Sequence, residues 1–67
     1  MASKPFIVEG VEVEDGSRTL LADFDNSGEA RAFLNRYTAT ENAGNWDLIE
    51  VYDTRGEDAE RLWFWER

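Results

Sequence analysis

Residues 61–67, Arg-Leu-Trp-Phe-Trp-Glu-Arg, place four large apolar side chains in a row between charged neighbours. Side chains of a β-strand point alternately to the two faces of a sheet, so Leu62 and Phe64 face one way while Trp63 and Trp65 face the other. Both faces of such a strand need covering. A domain of this size buries only about 60% of the surface that its unfolded chain exposes, which makes covering both faces difficult.

The residue types that are missing exclude several kinds of chemistry. The chain has no Cys, which excludes disulfides and thiolate metal sites, and no His, which removes the commonest general base and transition-metal ligand. We therefore predict no catalytic residue, no cofactor and no metal site, and we expect that the protein is not an enzyme. Among the usual means of stabilising a small domain, oligomerisation remains.

The charge balance bears on the partners of the chain. Fifteen acidic and seven basic residues give a net charge of −8, which disfavours binding to the phosphate backbone of a nucleic acid. No apolar run approaches the roughly 20 residues of a membrane span, and the first residues lack the pattern of a signal peptide. We expect a cytoplasmic protein that contacts neither nucleic acid nor membrane.

The order of sequence patterns predicts one domain, residues 1–67, built as hairpin, helix and hairpin. Its strands are predicted over residues 6–14, 18–24, 46–54 and 60–66, and its helix over residues 27–40. Asn26 is a suitable N-cap, and Gly44 is a candidate for the left-handed conformation after the helix. A second helix over residues 57–67 is the competing interpretation of the last strand.

The register of each hairpin depends on its loop. Asp15-Gly16 predicts a two-residue type I′ turn that places Glu14 opposite Ser17 and directs Ile7, Val11 and Val13 to the core. A bulge near Gly10 would instead move Phe6 and Val8 to the core side.

In the second hairpin, a loop of four residues groups Leu62 and Phe64 with Ile49 and Val51 in the core. A loop one residue longer would put Trp63 and Trp65 there instead. We prefer the shorter loop, because it collects the aliphatic residues in one core.

These elements predict an α+β fold of the type ββαββ, in which a mainly antiparallel four-stranded sheet carries one helix on one face. The strand order stays open. A helix about 10 Å across covers one face of a sheet roughly 15–20 Å wide and none of the other. Seven residues are predicted to form an apolar surface on that other face: Phe6, Val8, Leu21, Leu48, Tyr52, Trp63 and Trp65.

Large apolar patches are rare on monomers, and Trp and Tyr are enriched at interfaces. We therefore expect a small non-enzymatic interaction module that forms a homodimer through this aromatic face. Exchange of a hairpin between protomers through residues 42–45 is compatible with the sequence. The alternative is an acidic regulatory protein that imitates a nucleic acid and binds a basic protein partner.

Residues 23–28 resemble the first half of a calcium-binding loop. The position that should hold a bidentate Glu is Leu34. The end of a strand followed by a helix N-cap is therefore the simpler interpretation of this segment.

Overall fold

A computed structural model describes residues 4–67 of the chain. Its elements are β1 (Phe6–Glu12), β2 (Ser17–Phe24), α1 (Ser27–Thr38), a short 3₁₀ helix (Glu41–Asn45), β3 (Leu48–Asp53) and β4 (Glu60–Glu66). Neighbouring strands are antiparallel and lie in the order β2-β1-β3-β4. The predicted ββαββ fold is confirmed, and residues 60–66 form a strand rather than a second helix.

The hydrophobic core lies between α1 and one face of the sheet. Its buried members are Phe6, Val8, Ala30, Leu34, Ala43, Ile49 and Val51. Full burial of each large aliphatic side chain stabilises the fold by about 1.5–3 kcal/mol. We call this side of the sheet the helix-covered face, and the opposite side, which carries Val11 and Glu50, the open face.

The first hairpin turns through four residues, 13–16, rather than two, so that Glu12 lies opposite Ser17. A type I′ turn needs positive φ at both central residues. Gly16 has a φ of 73°, but Asp15 does not have a positive φ. The Asp15 side chain instead accepts the Ser17 amide at 2.9 Å. The predicted register of this hairpin is therefore wrong by two residues.

We expect Gly16→Ala to lower the free energy of unfolding by about 1 kcal/mol, because a Cβ is disfavoured at positive φ. The cost should be conformational, since a Cβ at this position would meet no atom within 4 Å. Asn tolerates the left-handed conformation better than Ala, so Gly16→Asn should cost less. Urea unfolding of both variants measures the difference, and an equal cost for the two would contradict this explanation.

A β-bulge in β2 decides which side of β1 faces the core. Val8 pairs with Ala22 whereas Glu9 pairs with Leu20, which leaves Leu21 as an extra residue. Phe6 and Val8 consequently face α1, as in the alternative with a bulge near Gly10. The preferred assignment of Ile7, Val11 and Val13 to the core under α1 is wrong, because Ile7 lies on the open face and Val11 is buried on that face instead. Val13 is exposed in the loop.

The second hairpin also differs from the preferred prediction. Ile49 pairs with Trp65 and Val51 with Trp63, so both Trp side chains lie on the helix-covered face. The connection spans residues 54–59. Thr54 donates its amide at 2.9 Å and its hydroxyl at 2.7 Å to the Pro5 carbonyl. Leu62 packs against the core as predicted, whereas Phe64 lies on the open face, so its predicted place in the core is wrong.

The helix begins as predicted and ends earlier. Asn26 Oδ1 accepts the Glu29 amide at 2.8 Å, which confirms the N-cap. Within the last turn, the Thr38 hydroxyl donates to the Leu34 carbonyl at 2.8 Å. Gly44 belongs to the 3₁₀ helix and has no positive φ, so its predicted left-handed conformation is wrong.

Candidate interaction surface

The structure separates the seven residues that were predicted to form one apolar surface. Five of them belong to the core or pack against it: Phe6, Val8, Leu21, Trp63 and Trp65. Only Leu48 and Tyr52 lie on the open face, where both are half-buried. The predicted placement of the other five is wrong because a bulge in β2 and a bulge in β4 turn these side chains towards α1.

Glu50 lies at the centre of the open face, and its side chain is only 4% exposed. Each carboxylate oxygen accepts a hydrogen bond from a different arginine. Arg18 Nη1 of β2 lies 2.7 Å from Oε1, and Arg61 Nη1 of β4 lies 3.0 Å from Oε2. We call these three residues the Glu50 network. An unpaired carboxylate at this position would be costly, and two arginines from opposite edge strands prevent that cost.

The electrostatics of the network hold Glu50 in its charged form. Burial raises the pKa of the Glu50 carboxyl, but hydrogen bonds from Arg18, Arg61 and Tyr52 outweigh burial and hold this pKa below its ordinary value. The hydrogen bond with Glu50 in turn raises the pKa of the Arg18 guanidinium. General acid–base catalysis at neutral pH favours a carboxyl whose pKa is raised, and Glu50 is shifted in the opposite direction.

The network also covers the middle of the open face. Val11, which lies opposite Arg18 in the sheet, is only 5% exposed although neither described helix packs on this side. The exposed large apolar side chains of the open face belong to the edge strands: Leu20 of β2 is 42% exposed and Phe64 of β4 is 50% exposed. The Arg61 guanidinium lies 4.4 Å from the Phe64 ring centroid. A partner therefore finds apolar surface at the edges of the open face rather than at its centre.

The acidic residues of the two hairpin loops lie at opposite ends of the sheet. Loop 13–16 contains Glu14 and Asp15, and loop 54–59 contains Glu57 and Asp58. The first loop follows β1 and the second follows β3, which runs antiparallel to β1. Each strand residue advances the chain by about 3.4 Å, so the length of a strand separates the two loops by roughly 20 Å. The two acidic loops therefore do not form one continuous negative surface.

Residues 4–67 contain no cluster of three or more side chains suited to hold a metal ion, and they enclose no pocket. Asn26, within the segment that resembles half of a calcium loop, caps α1. In the same part of the chain, neither helix has the length and apolar character needed to cross a membrane.

The structure thus defines a small α+β domain with one covered and one open sheet face. No known protein family matches the chain, and comparisons with curated proteins and with solved structures give no match either.

Proposed function

We propose that the chain is a small non-enzymatic interaction module that works as a homodimer in the cytoplasm. The observation that carries the proposal is the uncovered part of the sheet. α1 lies on one face only, and both edge strands expose a large apolar side chain on the other face, Leu20 and Phe64. Apolar groups held at such positions favour contact with another protein.

A second copy of the chain suits the charges of this surface. Glu9 and the Glu50 network bring two acidic and two basic side chains together, since Arg18 lies 3.3 Å from Glu9 and 2.7 Å from Glu50. The charges at the centre of the open face are thus balanced although the chain carries a net charge of −8. A strongly basic partner would be attracted to the acidic loops instead.

The second candidate is an acidic regulatory protein that binds a basic partner. It is favoured by the exposed acidic residues of loops 13–16 and 54–59. Because these loops lie at opposite ends of the sheet, a basic partner would contact one loop at a time. We regard this as the weaker proposal.

Sedimentation velocity over the micromolar range tests the homodimer. We expect the sedimenting mass to rise with concentration from the 7.7 kDa of one chain to twice that mass. A single species of 7.7 kDa at every concentration would contradict the proposal.

A further inference from the structure

We propose that two copies of the chain pair antiparallel through the free edge of β4, about a two-fold axis at Phe64. This pairing specifies the contact surface of the homodimer and rests on the function proposed above. Among residues 4–67, β4 ends the sheet order, so one of its edges has no neighbouring strand in that part of the chain. An edge strand presents unpaired N–H and C=O groups, to which another strand can add.

The backbone of β4 places Phe64 correctly for this pairing. The Arg67 amide donates to the Asp47 carbonyl at 3.0 Å, on the side of β3. In an antiparallel sheet, the N–H and C=O of one residue point to the same neighbouring strand. The N–H and C=O of the next residue point to the opposite edge of the strand. Counting back from Arg67, the backbone groups of Glu66 and Phe64 point away from β3. Phe64 can therefore exchange both hydrogen bonds with Phe64 of a second copy.

The bulge in β4 decides which charges face each other in this register. Arg61 pairs with Tyr52 and Trp63 pairs with Val51, so Leu62 is the extra residue between them. Arg61 consequently lies on the open face together with Phe64 and Glu66. When Phe64 lies opposite its own copy, Arg61 lies opposite Glu66 of the second chain. Facing side chains then share one side of the sheet, as a two-fold axis perpendicular to it requires.

The charges of β4 are self-complementary in this register. Glu60-Arg61 precedes the apolar run and Glu66-Arg67 follows it. Antiparallel pairing sets Arg61 opposite Glu66 and Glu60 opposite Arg67, so every one of these charges meets its opposite. Neither Glu60 nor Glu66 forms an ion pair within the described residues. Both carboxylates gain a cationic neighbour in the dimer.

The other edge strand, β2, is less suited to the same role. Its charged side chains on the open face already have partners within the chain. Arg18 contacts Glu9 and Glu50, and Asp23 accepts the Lys4 amide at 3.1 Å. Pairing through β4 instead joins the two sheets into one of eight strands, with both copies of α1 on the same side.

Single cysteines test the register directly, because the chain has no Cys of its own. Phe64→Cys places the two Cα atoms across the axis at about 5.5 Å, a separation that a disulfide spans. Oxidation should therefore give a covalent dimer of this variant. Leu20→Cys on β2 and Val13→Cys in the first loop are controls at exposed positions and should give no covalent dimer under the same conditions. Preferential crosslinking of Leu20→Cys, or equal crosslinking of all three variants, would overturn the proposal.

Charge reversal gives an independent test. Glu66→Arg places like charges opposite Arg61 at two symmetric positions and should raise the Kd of the dimer about tenfold or more. Glu14→Arg makes the same charge change in the first loop and should leave the Kd at or below the wild-type value. A wild-type chain that is monomeric at every concentration overturns the proposed function together with this pairing. A wild-type dimer that Glu66→Arg leaves intact overturns the pairing alone.

Discussion

Gly10→Ala is expected to lower the free energy of unfolding by about 2–4 kcal/mol, through overpacking and a lost hydrogen bond. A Cβ on Gly10 would lie 2.7 Å from Cε2 and 2.8 Å from Cε3 of Trp46. The indole ring would have to move away, and its Nε1 would lose the hydrogen bond that it donates to the Tyr37 hydroxyl at 3.0 Å. Urea unfolding followed by circular dichroism measures the loss.

Gly44→Ala is the matched control. A Cβ on Gly44 would meet no atom within 4 Å, and its φ is not positive, so the change should stay within about 0.5 kcal/mol. The cause can be isolated by repeating Gly10→Ala in a Trp46→Ala background. The substitution should cost little there, because the ring is gone. An equal cost in both backgrounds would show that Trp46 is not the reason for glycine at this position.

Glu50→Gln is expected to lower the free energy of unfolding by about 2 kcal/mol at neutral pH, the scale of hydrogen bonds to a charged group. The variant removes the charge that Arg18 and Arg61 share. The fall in the free energy of unfolding should be smaller than for breaking a fully buried ion pair. The reason is that both arginine side chains are about half exposed and can bind water instead. Glu9→Gln is the matched control. Glu9 lies 3.3 Å from Arg18 and has no second arginine partner among the ion pairs of the described residues. Glu9→Gln should therefore lower the free energy of unfolding by less than Glu50→Gln does.

The pH dependence of this difference has a definite sign. The pKa of Glu50 in the folded state is below its ordinary value of 4.5. Glu50 therefore contributes stability that is fully present above the unfolded pKa and is lost as the pH falls through the folded pKa. The stability difference between wild type and Glu50→Gln should be constant near neutral pH and shrink below pH 4.5. A difference that grows on acidification would contradict the assignment.

The elements of this fold could be predicted because their signals are local. Asn26 caps the helix, and alternating apolar residues mark the strands. The face of the sheet on which each side chain lies could not be predicted, because it depends on two bulges and on the lengths of two loops. Trp has a larger apolar surface than Phe, so placing Trp63 and Trp65 rather than Phe64 against the core removes more apolar surface from water.

The predicted interface contained Leu48 and Tyr52 of the open face but missed the Glu50 network. A signal was present, since Glu50 interrupts the apolar strand Leu48–Asp53 and a buried carboxylate needs cationic partners. Choosing Arg18 and Arg61 as those partners requires the strand order β2-β1-β3-β4, which places them on either side of Glu50. Local patterns do not contain that order.

The ladder between β1 and β3 is the part of the sheet that we expect to form last during folding. Each hairpin connects neighbouring segments and can form within about 1–10 μs. Val11 and Leu48, by contrast, pair only after the whole helical segment between them has been brought into place. Until then, β1 and β3 each have one edge whose backbone N–H and C=O groups are unpaired. We therefore expect a high protein concentration during refolding to favour pairing of β1 and β3 from two different chains.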